Sequence, residues 1–157
     1  MQTHFEVFGE PVELIVTSDK TGGMFSVGRQ TCAAGSGTPP HLHHNEDEAF
    51  SVVSGSFEIF NGDDDTWTQI PADGVIFAPR GQVHCFRNCG DQPGIIQFIS
   101  GGNAFDTFLE GLSKYQMPRD MQAIVDYSAR FGIFYPTLPP PTVTQEVEAG
   151  PICPRAV

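Results

Sequence analysis

The sequence predicts a mostly-β domain, a sandwich or barrel of short strands, followed by two α-helices and an irregular tail. Three observations carry this. Between Phe5 and Ile99, alternating apolar and polar runs recur at a spacing of about 8–12 residues, divided by turn residues. The 17 Gly and 13 Pro in 157 residues supply turns at a density that long helices would not tolerate. Beyond Gly101-Gly102 the apolar spacing changes to i, i+3, i+4, i+7, the signature of a helical face. The length suits one domain with a core that needs no disulfide support.

The elements follow in order. VELIVT (12–17) and MFSVGRQ (24–30) read as strands, with Asp19-Lys20-Thr21-Gly22-Gly23 as the turn between them. EAFSVVSG (48–55) and SFEIF (56–60) are a pair of strands; Asn61-Gly62 opens a turn with Asp63-Asp64-Asp65 at its tip. TWTQI (66–70), GVIFAP (74–79), HCFRN (84–88) and GIIQFI (94–99) complete the β region. Phe105, Phe108, Leu109 and Leu112 form one helical stripe. Pro118 suits the first turn of a second helix, whose stripe is Met121, Ile124, Val125 and Ser128, with Gly132 at its end. The expected organisation is a barrel over 1–102, a helical extension packed on it over 103–132, and a Pro-rich tail over 133–157.

Charge narrows the partners. A formal net charge of −11 repels phosphate backbones and anionic surfaces, so neither nucleic acid nor a membrane is an expected partner. No apolar run approaches the roughly 18 residues of a transmembrane span. The start, MQTHFEVFGE, has no basic region followed by an apolar one, so a cytoplasmic location is the default expectation. Cys32, Cys85, Cys89 and Cys153 form no C-x-x-C pair and are expected to be free thiols.

The stretch GTPPHLHHNEDEAF (37–50) holds three histidines and three acidic residues. His41 and His43 are two apart, so on a strand both rings share a face. Glu48 begins the next strand and can fold back beside them. PRGQVHCFRN turns through Pro79 and Gly81 into a strand starting at His84, from which a fourth ligand could arrive. Three imidazoles and a carboxylate suit divalent iron, manganese, nickel, copper or zinc. Such a set leaves positions for substrate on a six-coordinate ion, whereas structural zinc sites are more often closed and cysteine-rich.

At these residues the sequence resembles the cupins. Gly35, His41, His43, Glu48 and Gly55 satisfy the first cupin motif, G-x5-H-x-H-x3–4-E-x6-G. Pro79, Gly81, His84 and Asn88 match the second, G-x5-P-x-G-x2-H-x3-N; its first glycine is replaced by Asp73, with Gly74 following. The resemblance implies a double-stranded β-helix, or jelly-roll barrel, with His41, His43, Glu48 and His84 binding one divalent transition metal per chain. Glu46 and His44 are the competing ligand candidates. Glu46 follows His43 too closely for the motif and is expected to be solvated; His44 is expected to point away.

The stretch PPHLHHNEDEAFSVVSG is also similar to the single-domain cupins described as quercetin dioxygenase-like. That likeness implies a metal-dependent dioxygenase acting on a small aromatic or enolisable substrate, with dioxygen as co-substrate. Glu48 would be a catalytic base as well as a ligand, or a ligand only. Strand alternation adds Phe50, Val52 and Phe86 as substrate-lining candidates. The alternatives are a non-redox metalloenzyme (isomerase, lyase or decarboxylase) and a non-catalytic binding protein. Gln97 is a candidate for supporting the site or for the outer surface, and Cys85 is expected to face away from it. A homodimer is expected from the resemblance.

Overall fold

The structure, a computed structural model, describes residues 2–62, 66–71 and 73–142. The acidic tip at Asp63-Asp64-Asp65, Cys153 and the tail beyond residue 142 lie outside the described residues.

Strands β1 (His4–Val7), β2 (Glu10–Val16), β3 (Phe25–Cys32), β4 (Leu42–His43), β5 (Glu48–Ser54), β6 (Phe57–Asn61), β7 (Trp67–Gln69), β8 (Ile76–Ala78), β9 (His84–Asn88) and β10 (Gly94–Gly101) are followed by α1 (Phe105–Leu112), α2 (Met121–Ala129) and β11 (Ile133–Phe134). Every pairing among these strands is antiparallel. One sheet runs β1-β2-β3-β10-β5-β8, a second β7-β6-β9, and a third is the pair β11-β4. The expected pair β5 and β6 are consecutive but lie in different sheets, because Gly55, at φ +85°, turns the chain from one layer to the other. This crossing between two antiparallel layers is the jelly-roll arrangement.

Alternation dictates the core. On β3 the inward set Ser26, Gly28, Gln30 and Cys32 is buried. Phe50, Ile96 and Phe98 from the large sheet meet Phe57, Ile59 and Phe86 from the small one in a single apolar cluster. Phe50 and Phe86 touch across the layers with ring centroids 5.5 Å apart. Gly28 is required for packing: a Cβ there would lie 2.3 Å from Phe98 Cζ.

The helical stripes fall as the spacing predicts: Phe105, Phe108, Leu109 and Leu112 of α1, and Ile124, Val125 and Ser128 of α2, are buried. The fully buried Asp106 accepts hydrogen bonds from Ser18 N (2.7 Å) and Ser18 Oγ (3.1 Å), which ties α1 to the link between β2 and β3. Pro118 is not in the first turn of α2. The helix begins at Met121 after Asp120, whose side chain instead accepts the Gln116 N–H (2.9 Å) in the turn that contains Pro118. The region expected to open the tail begins with β11, which pairs with β4 (Ile133 with His43, Phe134 with Leu42). No described helix is long and apolar enough to cross a membrane.

Asp73, where the motif has glycine, adopts φ +59°. Asp tolerates this left-handed conformation better than most residues, so the turn survives the replacement. Gly28→Ala should destabilise the fold by about 1–3 kcal/mol, because Phe98 must leave its rotamer or the strands must part. Denaturant unfolding at unchanged m-value checks this.

Candidate metal centre

Four side chains from three segments converge: β4 with the residue just before it, β5 and β9. His41 and His84 form a reciprocal backbone bridge, His41 N to His84 O at 3.0 Å and His84 N to His41 O at 2.8 Å. Residues bridged in this way present their side chains on the same face. His43 is carried by β4, which is held by β11 and by the Gly81 N–H to the His43 carbonyl (2.7 Å). Glu48 opens β5 between Ala78 of β8 and Ser100 of β10. The Arg80 backbone and guanidinium both donate to Asp47, which fixes the loop before Glu48 against the one before His84.

One potential ligand atom from each of His41, His43, Glu48 and His84 lies within 4.8 Å of the others. His43, His84 and Glu48 are buried, and His41 is half-buried. Each ring is oriented through Nδ1: His41 on Pro39 O (2.8 Å), His84 on Gln82 O (3.1 Å), and His43 on Glu46 Oε2 (3.4 Å). A proton on Nδ1 leaves the Nε2 lone pair free, the tautomer that a metal requires. Glu48 Oε2 lies 3.0 Å from His84 Nε2 and 3.3 Å from His43 Nε2. His43 Nε2 is buried with no geometrically sound hydrogen bond. A buried, unsatisfied ring nitrogen aimed at a carboxylate and two further imidazoles fits a cation better than it fits a closed hydrogen-bond network. The donors accommodate one divalent transition metal ion.

Charge is arranged to match. Burial, then the neighbouring His84 and His43, hold the His41 pKa well below its usual value, so this ring is neutral. Burial opposes protonation of His43, but Glu48 and Glu46 outweigh it and raise its pKa. Burial pushes the Glu48 carboxyl up, yet His43 and His84 prevail and hold it at about 2.

Glu46 corrects the sequence expectation. It is not solvated but 4% exposed, and it contacts the ring edge of His43 opposite the centre. The short loop between β4 and β5 turns back under His43, which the linear spacing does not reveal. His44 is exposed and packs on Phe134, with ring centroids 4.7 Å apart.

The centre opens onto a cavity of about 60 Å³. Its walls include Phe50, Phe86, Phe98, Phe105, Phe108 and Tyr135. Val52 does not reach it. One pleat further from Glu48, beside the β-bulge at Ile95/Ile96, it packs against the core instead. Tyr135 lies with its ring 6.1 Å from that of His41, and its hydroxyl pairs with Ser128 Oγ (3.2 Å). Burial pushes its pKa up to about 12, so it stays protonated. Asn88 shares the strand of His84 but serves the fold, donating to Cys32 O and Gln92 O. Gln97 accepts from Arg29 Nε (3.2 Å) on the outer side of the sheet. Cys85 is buried away from the cavity, and burial raises its thiol to about 11, so it is no nucleophile.

Residues 28–100 match the family of the cupin domain. Solved structures agree in fold. A Klebsiella pneumoniae protein with a double-stranded β-helix domain is 21% identical over 60% of this chain and 77% of its own, with a TM-score of 0.51. KdgF from a Halomonas species is 15% identical over 63% of this chain and 85% of its own (TM-score 0.54). A protein described as a predicted oxalate decarboxylase from Thermotoga maritima is 17% identical over 59% and 80% (TM-score 0.55). At these identities the likeness is one of fold. No curated protein matches the chain significantly in sequence.

The cupin motifs thus fall on the four converging residues. Glu46→Gln, which keeps the shape and removes the charge, should weaken metal binding by about 10-fold or more. Competition with a chromogenic chelator measures it.

Proposed function

We propose that the protein is a metal-dependent dioxygenase of the quercetinase-like cupin type, acting on a small aromatic or enolisable substrate. The observation that supports this reading most is a three-His, one-Glu cluster of which His41, His43 and Glu48 line an apolar, aromatic-walled cavity. When bound, a divalent transition metal would supply Lewis acidity toward a substrate oxygen and a means of engaging dioxygen.

The chain's own residues do the rest. Phe50, Phe86 and Phe105 offer ring faces and exclude water from the reacting centre. Glu48 ligates, and it also takes the substrate proton. A carboxylate held at about 2 is a weak acceptor, so this role is confined to acidic enols and phenols. Tyr135 keeps its proton and acts as a wall and donor, not a base.

The cavity favours a compact substrate. The space of about 60 Å³ suits a single ring or a short enolisable chain more than a flavonol. The net charge of −11 supports leaving nucleic acid out of the partners.

The test is oxygen consumption by protein reconstituted separately with iron, manganese, nickel or copper, using a panel of small phenols and enols. Oxygen uptake should match substrate loss, and His41→Ala should abolish both. Turnover with zinc and without oxygen would assign the centre to non-redox isomerase, lyase or decarboxylase chemistry instead.

A further inference from the structure

The cavity holds one polar side chain that neither the metal centre nor the fold uses. Gln30 lies on β3, in register with Val12 of β2 and Ile96 of β10, both fully apolar and buried. It is 7% exposed and lines the same cavity as His41, His43 and Glu48. Among the described residues its side-chain amide has no hydrogen-bond partner. A primary amide offers two donors and one acceptor, and no described protein group answers them, which leaves them open to water or to a ligand in the cavity. Packing gives no reason for an amide between Val12 and Ile96, where Leu or Met would fill the same space. An unanswered amide facing a cavity is what a site prepared for a ligand oxygen looks like.

The rest of the lining constrains that ligand. No Lys or Arg is among the cavity-lining residues, so an anionic group remote from the centre would be left unpaired in an apolar wall. The group facing Gln30 is therefore uncharged.

We infer that Gln30 is the substrate-anchoring residue. Its amide holds a second, neutral oxygen (a hydroxyl or carbonyl) of a compact substrate whose first oxygen faces His41, His43, Glu48 and His84. This rests on the proposed function only in taking the cavity as the substrate site. It narrows the substrate class to uncharged, two-oxygen aromatic or enolisable molecules and excludes dicarboxylates.

The test compares phenol with resorcinol and hydroquinone, which add a second hydroxyl to the same ring. Binding is measured by calorimetry on the full-length protein as purified, in wild type, Gln30→Leu and Gln30→Met. In wild type at least one diol should bind about 10-fold more tightly than phenol, the worth of one good hydrogen bond. In both variants the preference should vanish, and their ligand-free melting temperatures should not fall, because no protein hydrogen bond is lost. A merely structural Gln30 would give lower melting temperatures. A preference that survives both substitutions, equal binding of diols and phenol by wild type, or no binding of any of the three would overturn the inference. Loss of the preference as expected, with no oxygen consumption by any metal-loaded form, would keep the anchor and discard the dioxygenase reading.

Discussion

Three imidazoles and two carboxylates buried in an apolar barrel must have their charges and lone pairs answered, and much of the structure serves that requirement. Each ring spends its Nδ1 on a carbonyl or carboxylate behind it, so the three Nε2 atoms face one point. Glu48 alone cannot satisfy all of them, and His43 Nε2 is left over. The Glu48 carboxylate carries charge that a divalent cation would balance; without the ion it rests on His43, whose pKa it raises, while burial keeps His41 neutral.

The C-terminal segment is part of the centre. β4 is only two residues long, too short to be held by its own ladder, and its partner is β11 from beyond the helices. The backbone at His44 is held in the same way, through its N–H to the Gly132 carbonyl (2.8 Å). Phe105 of α1 packs on the His43 ring (centroids 5.5 Å apart) and Tyr135 near that of His41. The helices therefore position ligands and roof the cavity at once. Asp106, clamped to Ser18, sets where α1 begins over the barrel.

Much of this was legible in the sequence, for physical reasons. Period-two alternation marked the strands that are buried on one face, and the stripes Phe105–Leu112 and Met121–Ser128 marked the helices, because both patterns are consequences of local geometry. The histidine spacing and the cupin motifs gave the four converging residues. What escaped depends on contacts distant in sequence. β4 and β11 are two residues each and leave no period. The burial of Glu46 follows from how a loop folds under a ring. Gln30 reads as the polar member of an alternating strand, and only the registers with Val12 and Ile96 show that it faces inward. Val52 had the right parity but the wrong depth.

The central claim is that these residues are built to hold one metal ion. Elemental analysis of the folded full-length protein after saturation with divalent transition metals and desalting tests it most directly, with His84→Ala alongside. The account predicts close to one ion per chain in wild type and none retained in the variant. A folded wild type that retains no ion, or a variant that retains the same amount, would contradict it.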